Sequence, residues 1–164
     1  MKIYSILCLP LIFFSCSTLQ SIEETPDCPK GYDCTTEVIQ GKSITLHEDT
    51  IGKLYIKMVD NEDYNLIKYS YNYEGRPELA DDSYNETILF EIPKDKDELS
   101  LDGKSLLNNK LVVLKSCFCQ DAGYESIENG SLKVEKNKNK YRIDLEFETD
   151  RRLKVKSLQT IVEY

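Results

Sequence analysis

From residue 141 to 147 every second residue is apolar. Tyr141, Ile143, Leu145 and Phe147 alternate with Arg142, Asp144, Glu146 and Glu148. A period of two is the signature of a strand with one wet face, and a helix would scatter these side chains around its circumference. The same period recurs along the chain. Ile44 and Leu46 flank Thr45, and Leu54, Ile56 and Met58 alternate with Tyr55 and Lys57. Ile67, Tyr69, Tyr71 and Tyr73 share one parity, as do Tyr84, Ile88, Phe90 and Ile92 up to Pro93. Shorter strands are expected within 99–101, 111–119, 124–127, 132–134 and 153–162. The last shifts parity between Val155 and Leu158, which predicts a bulge near Ser157. A short helical turn is expected at 105–109.

Turn signals separate these segments. Asp60, Asn61, Glu62 and Asp63 read as a turn, and 74–82 as a loop with Gly75 and Pro77. Asp102-Gly103, Asn129-Gly130 and the lysine-rich 136–140 separate the later strands, and Asn-Gly is a strong hairpin signal. About ten short strands at regular spacing predict an all-β chain. The expected fold is an antiparallel β-sandwich, with a small closed β-barrel as the alternative.

The amino terminus obeys different rules. Lys2 precedes an apolar run from Ile3 to Phe14, interrupted by Pro10, and then come Ser15 and Cys16. The run is short for a membrane span and has the pattern of a cleaved export signal. Phe13-Phe14-Ser15-Cys16 resembles a bacterial lipobox. Phe14 is bulkier than the usual small or aliphatic residue, a looseness similar to that of envelope lipoproteins of Bacteroidetes-like bacteria. The resemblance covers the signal alone and implies an address and an anchor. Cleavage would fall before Cys16, whose sulfur and new amino group would carry acyl chains such as palmitate. More than one chain makes attachment stable. The rival is an ordinary secretory signal, with Cys16 discarded. The expected division is 1–15 signal peptide, 16–35 lipidated cysteine and tether, and 36–164 a single β-domain. The tether is rich in Ser, Thr, Gln, Glu and Pro, as a spacer from the headgroups would be.

Removing residues 1–15 from 164 leaves 149, enough for one core of ordinary size. The whole chain holds 21 basic and 29 acidic residues; without Lys2 the remainder has 20 against 29, a net charge of −9. Such a surface repels phosphates, so nucleic acid is not an expected partner. The expected partners are a membrane, through the lipid, and an envelope protein or glycan.

Four cysteines remain for the domain: Cys28, Cys34, Cys117 and Cys119. An even number in an exported chain reads as disulfides. Their C-x5-C and C-x-C spacings depart from the gaps of zinc sites, and no metal or cofactor is expected. If 111–119 is one extended strand, Cys117 and Cys119 point to the same face about 6.6–7 Å apart, at the limit for a bond between them. That predicts a clamp in which each reaches Cys28 or Cys34.

Candidate functional residues are few. His47 is the single histidine and sits beside Glu48 and Asp49 at a strand end, so it reads as a turn residue. Asp60, Glu62, Asp63, Asp81 and Asp82 lack the glycine and final glutamate of a calcium loop and read as solvated turns. Asp49-Thr50-Ile51 resembles the short glycosylation signal of exported Bacteroidetes-like proteins; a plain turn ahead of Gly52 is the other reading. Tyr69, Tyr71, Tyr73 and Tyr84 are candidate binding aromatics, since aromatic rows stack on sugars or grip proteins. Their shared parity with Ile67 also suits a core face. The expected function is a non-enzymatic, lipid-anchored envelope module. The alternative is a thiol–disulfide redox enzyme using Cys117 and Cys119, although a strand does not depress a thiol pKa as a helix N-terminus does.

Overall fold

A computed structural model describes residues 28–164. Cys16, the signal and most of the tether lie outside the described residues. Nine strands follow in order: β1 (Asp33–Glu48), β2 (Leu54–Tyr73), β3 (Tyr84–Pro93), β4 (Glu98–Asp102), β5 (Val112–Cys117), β6 (Gly123–Ser126), β7 (Gly130–Asn137), β8 (Lys140–Phe147) and β9 (Ser157–Glu163). A 3-10 helix, Gly103–Asn109, precedes β5. One antiparallel sheet has the order β1-β2-β3-β5-β6, and the other β4-β7-β8-β9. Neither sheet closes on itself, so the fold is the β-sandwich and not the barrel.

Alternation places the core. Tyr141, Ile143, Leu145 and Phe147 of β8 are buried while Arg142, Asp144 and Glu146 face solvent. They meet Ile67, Tyr69 and Tyr71 of β2, Ile88, Phe90 and Ile92 of β3, and Val113 of β5. Leu106 from the 3-10 helix joins the same core.

Two strands are longer than expected because the 60–63 segment does not turn. Opposite it, the β1 register passes from Gln40↔Asn65 to Lys42↔Asp60 around Gly41, which sits at φ 65°. Residues 61–64 thus leave the ladder with β1, and contacts on the β3 side begin at Asp63 and Tyr64. Tyr64 pairs with Pro93, and the Lys94 amide donates to the Asp63 carbonyl at 2.9 Å. The acids ride on a bulge within β2, and their side chains reach solvent without ending the strand.

Past this bulge the hairpin bends over the outer face of the five-stranded sheet. Ile44 is buried with Leu66, Leu89 and Val112, and Ile39, Ile56 and Tyr124 pack around them. Leu66, Leu89 and Val112 alternate with core residues Ile67, Ile88 and Val113, so this second cluster lies outside the sandwich. Glu91, 1 % exposed, secures the bend. Its Oε1 accepts from the Ile44 amide at 2.7 Å, Ser43 Oγ at 2.6 Å and Lys110 Nζ at 3.0 Å.

Three further expectations change. Asn129-Gly130 joins β6 to β7, which belong to different sheets, so it makes a corner and not a hairpin. Gly130 has φ 142°, and a Cβ there would stand 2.2 Å from the Glu146 carbonyl oxygen. Residues 153–156 are a loop, with β9 starting at Ser157, so the parity shift marks a strand boundary and not a bulge. Asp33, Cys34 and Thr35 already pair with Asn72, Tyr71 and Ser70, so β-structure begins inside the expected tether.

Candidate functional site

The disulfides are local. Cys28 bonds Cys34 with Cα atoms 5.8 Å apart, and Cys117 bonds Cys119 with Cα atoms 5.2 Å apart. The expected clamp is therefore overturned. It assumed an extended chain through 119, but β5 ends at Cys117 and the backbone bends through Phe118 and Cys119. The bend brings the two Cα atoms inside bonding range. Phe118 is left at the tip of the bridged turn, 85 % exposed.

The tyrosine row faces inward. Tyr69 and Tyr71 are buried, and Tyr73 and Tyr84 are half-buried. Tyr32 stacks on Tyr71 with ring centroids 4.6 Å apart and leans on Tyr73 at 5.2 Å, covering this end of the row. Burial pushes the Tyr71 phenol up to about 12, helped by its neighbour Tyr32. Burial also raises Tyr69, with the nearby Glu86 carboxylate adding to it, and raises Tyr84, where the hydrogen bond to Glu86 contributes. These rings are core packing with neutral hydroxyls, and sequence parity with Ile67 was the signal that pointed there.

Parity with Tyr84 and Ile88 puts Glu86 on the inner face, but period alone could not reveal what satisfies a charge there. Glu86, 1 % exposed, accepts from the Lys154 amide at 2.6 Å and the Val155 amide at 2.9 Å, and also from the Tyr84 hydroxyl. Lys115 lies opposite Glu86 in the ladder but donates to both Asp121 oxygens, at 2.9 and 2.8 Å, and to the Arg152 carbonyl at 3.0 Å. That contact holds the Asp121 carboxyl below the ordinary range. Glu86 and Lys115 thus fasten the loop between β8 and β9 to the opposite sheet. Each finds its partners within the fold, as a buried charge must.

Beside this loop lies an open groove of about 990 Å³. Its walls come from the β6–β7 corner and the end of β8, and Glu128, Asn129, Glu146, Glu148, Asp150 and Lys156 line it. Glu125, also on the wall, is engaged by Thr149 Oγ1 at 2.7 Å and Arg151 Nε at 3.0 Å. Arg151 further donates to the Gly123 and Tyr124 carbonyls at 2.6 and 2.9 Å, which caps the outer edge of β6. The groove offers hydrogen bonds to ligands rich in hydroxyl or amino groups. Its residues lie on four separate segments, and nothing in the sequence spacing announced their meeting.

The remaining candidates stay apart. His47 meets Thr45 Oγ1 through Nε2 at 2.9 Å and stacks on Tyr55. Asp49 Oδ1 accepts from the Ile51 and Lys53 amides at 2.9 and 2.8 Å, so Asp49-Thr50-Ile51 forms the hairpin turn between β1 and β2. Asp82 binds Arg76, whose guanidinium holds its carboxyl below the ordinary range. Among the described residues no three His, Cys, Asp or Glu side chains gather as a metal ion would need, and no helix is long and apolar enough to cross a membrane. Comparison with protein-family models, curated proteins and solved structures finds no match.

Proposed function

We propose that this chain is a non-enzymatic binding module of the cell envelope, attached to a membrane by acyl chains on Cys16 and offering its sandwich to an envelope protein or glycan. One observation carries the binding reading. The groove beside β6 turns carboxylates, an amide and an ammonium toward solvent over about 990 Å³, while Glu86, Glu91 and Lys115 are spent on hydrogen bonds that hold the fold. A polar surface on a rigid scaffold suits recognition of hydroxyl- or amine-bearing groups. The lipobox-like Phe13-Phe14-Ser15-Cys16 supports the anchor.

The test is a pull-down with the mature, lipidated protein from its own membranes. The parent should retain a partner that is lost when Glu146 and Glu148 are changed to Lys. Equal retention by both would remove the groove from the reading. The thiol–disulfide alternative has one observation on its side, since Cys117 and Cys119 are bonded to each other on an exposed bend. A thiol count discriminates: a pair readily reduced by physiological thiols favours the enzyme, and a resistant pair favours the module.

A further inference from the structure

The described chain enters the sandwich at one end of the five-stranded sheet. Asp33, Asn72, Asn85 and Ser116 form one row across β1, β2, β3 and β5 at that end. The Cys28–Cys34 bridge ties the incoming segment there. The loop between β2 and β3, with half-exposed Leu79, leaves from the same end, and so does the bridged turn that carries Phe118. Phe118 is the most exposed large apolar side chain among the described residues. Three strand spacings put its strand about 15 Å from the point where the chain enters. The twelve residues from Cys16 to Cys28 reach at most about 40 Å extended, and about 20 Å as a flexible coil.

We infer that Phe118 is a second membrane contact, a ring held out by the Cys117–Cys119 turn to enter the lipid interface beneath the anchored domain. The inference rests on the reading of Cys16 as lipidated. An acyl anchor holds this end near the headgroups, so the ring meets the interface as an intramolecular event and a weak contact suffices. The backbone bend fixes the ring outward, so little freedom is lost on insertion. The charge of this end is mixed. Exposed Asp33, Glu74, Glu78 and Asp81 stand against exposed Lys30, Arg76, Arg152 and Lys154, the last two on the loop that Lys115 and Glu86 hold there. No cationic excess draws this end to anionic lipid, so the contact is the apolar ring itself and a zwitterionic surface suffices.

The chain contains no tryptophan, so one introduced indole reports alone. The mature lipidated protein is reconstituted on phosphatidylcholine vesicles as Phe118→Trp, Leu107→Trp or Ile51→Trp. Leu107, 39 % exposed, lies before β5 at the end opposite Cys117, and Ile51, 74 % exposed, lies on the β1–β2 turn. Phe118→Trp should emit to the blue and lose intensity to brominated acyl chains, while the other two stay solvent-like. Anionic lipid should not strengthen that quenching, since no cationic excess faces the surface. Protein that floats with the vesicles but is not quenched more at 118 than at 107 or 51 overturns the inference and leaves the anchor standing. Protein that carries no acyl group and does not float overturns both. An indole at 118 shielded in native membranes but not in pure lipid also overturns it, in favour of a protein contact.

Discussion

At the residue scale, burial and not residue type decides what a side chain contributes. Phe147 and Asp144 lie three residues apart on β8, one buried and one exposed. Phe147→Ala should cost about 3–5 kcal/mol in urea unfolding, and Asp144→Ala less than about 0.5 kcal/mol. Equal effects would contradict the register. Tyr71 makes a pH-dependent contribution. Its phenol titrates at about 12 in the fold, against about 10 in an unfolded chain. The folded state therefore holds its proton longer. Stability is at full value below pH 10, falls as pH rises from 10 to 12, and levels beyond. Tyr71→Phe should flatten that part of the alkaline profile.

The long hairpin of β1 and β2 shows at the element scale how one strand serves two surfaces. Its first half pairs within the sheet over the core, and its second half covers the outer face through Ile44 and Ile56. Glu91 holds the junction, since it joins the Ile44 amide, the Ser43 hydroxyl and the Lys110 ammonium. Glu91→Ala would leave the Ile44 amide and the Ser43 hydroxyl without their acceptor at a buried site, while Lys110 keeps the Ile44 carbonyl, and should destabilise by about 2–4 kcal/mol. Hydrogen exchange checks the location. Amides of 42–60 should lose protection before those of β8. Uniform loss across both sheets would mean that the bend is not a separate unit. The local bridges contribute less than the expected clamp would have. A Cys28–Cys34 loop is worth about 2 kcal/mol in the chain-entropy model, against about 4–5 for a bridge across eighty or more residues.

For the whole molecule, the proposed anchor and the position of the sandwich are linked. Cys16→Ala should stop acylation and shift the protein from detergent-extracted membranes to the soluble fraction. A variant that still partitions like the parent would remove the lipid from the reading. The groove with the adjoining edge of β6, and the end that carries Phe118, belong to different parts of one scaffold, so a ligand and a membrane could be engaged together.

The sequence by itself determined the all-β class, the inward face of β8, the helical turn before β5 and most loop positions, and it left the tyrosine row open between binding and core. All of these follow from local period and turn chemistry, because a strand declares its buried face every second residue. Tertiary structure alone decided the rest. The acids at 60–63 continue β2, because Asp60 still pairs with Lys42 of β1 and the Asp63 carbonyl accepts from the Lys94 amide beyond β3. Cys117 and Cys119 bond each other because the strand stops at Cys117, two residues earlier than the expected 111–119. Glu86 and Lys115 lie inside the sandwich because distant loop groups arrive to satisfy them. The groove exists because the β6–β7 corner, the end of β8 and the start of β9 converge. Each of these depends on which distant backbone stands opposite, and no spacing along one segment carries that information.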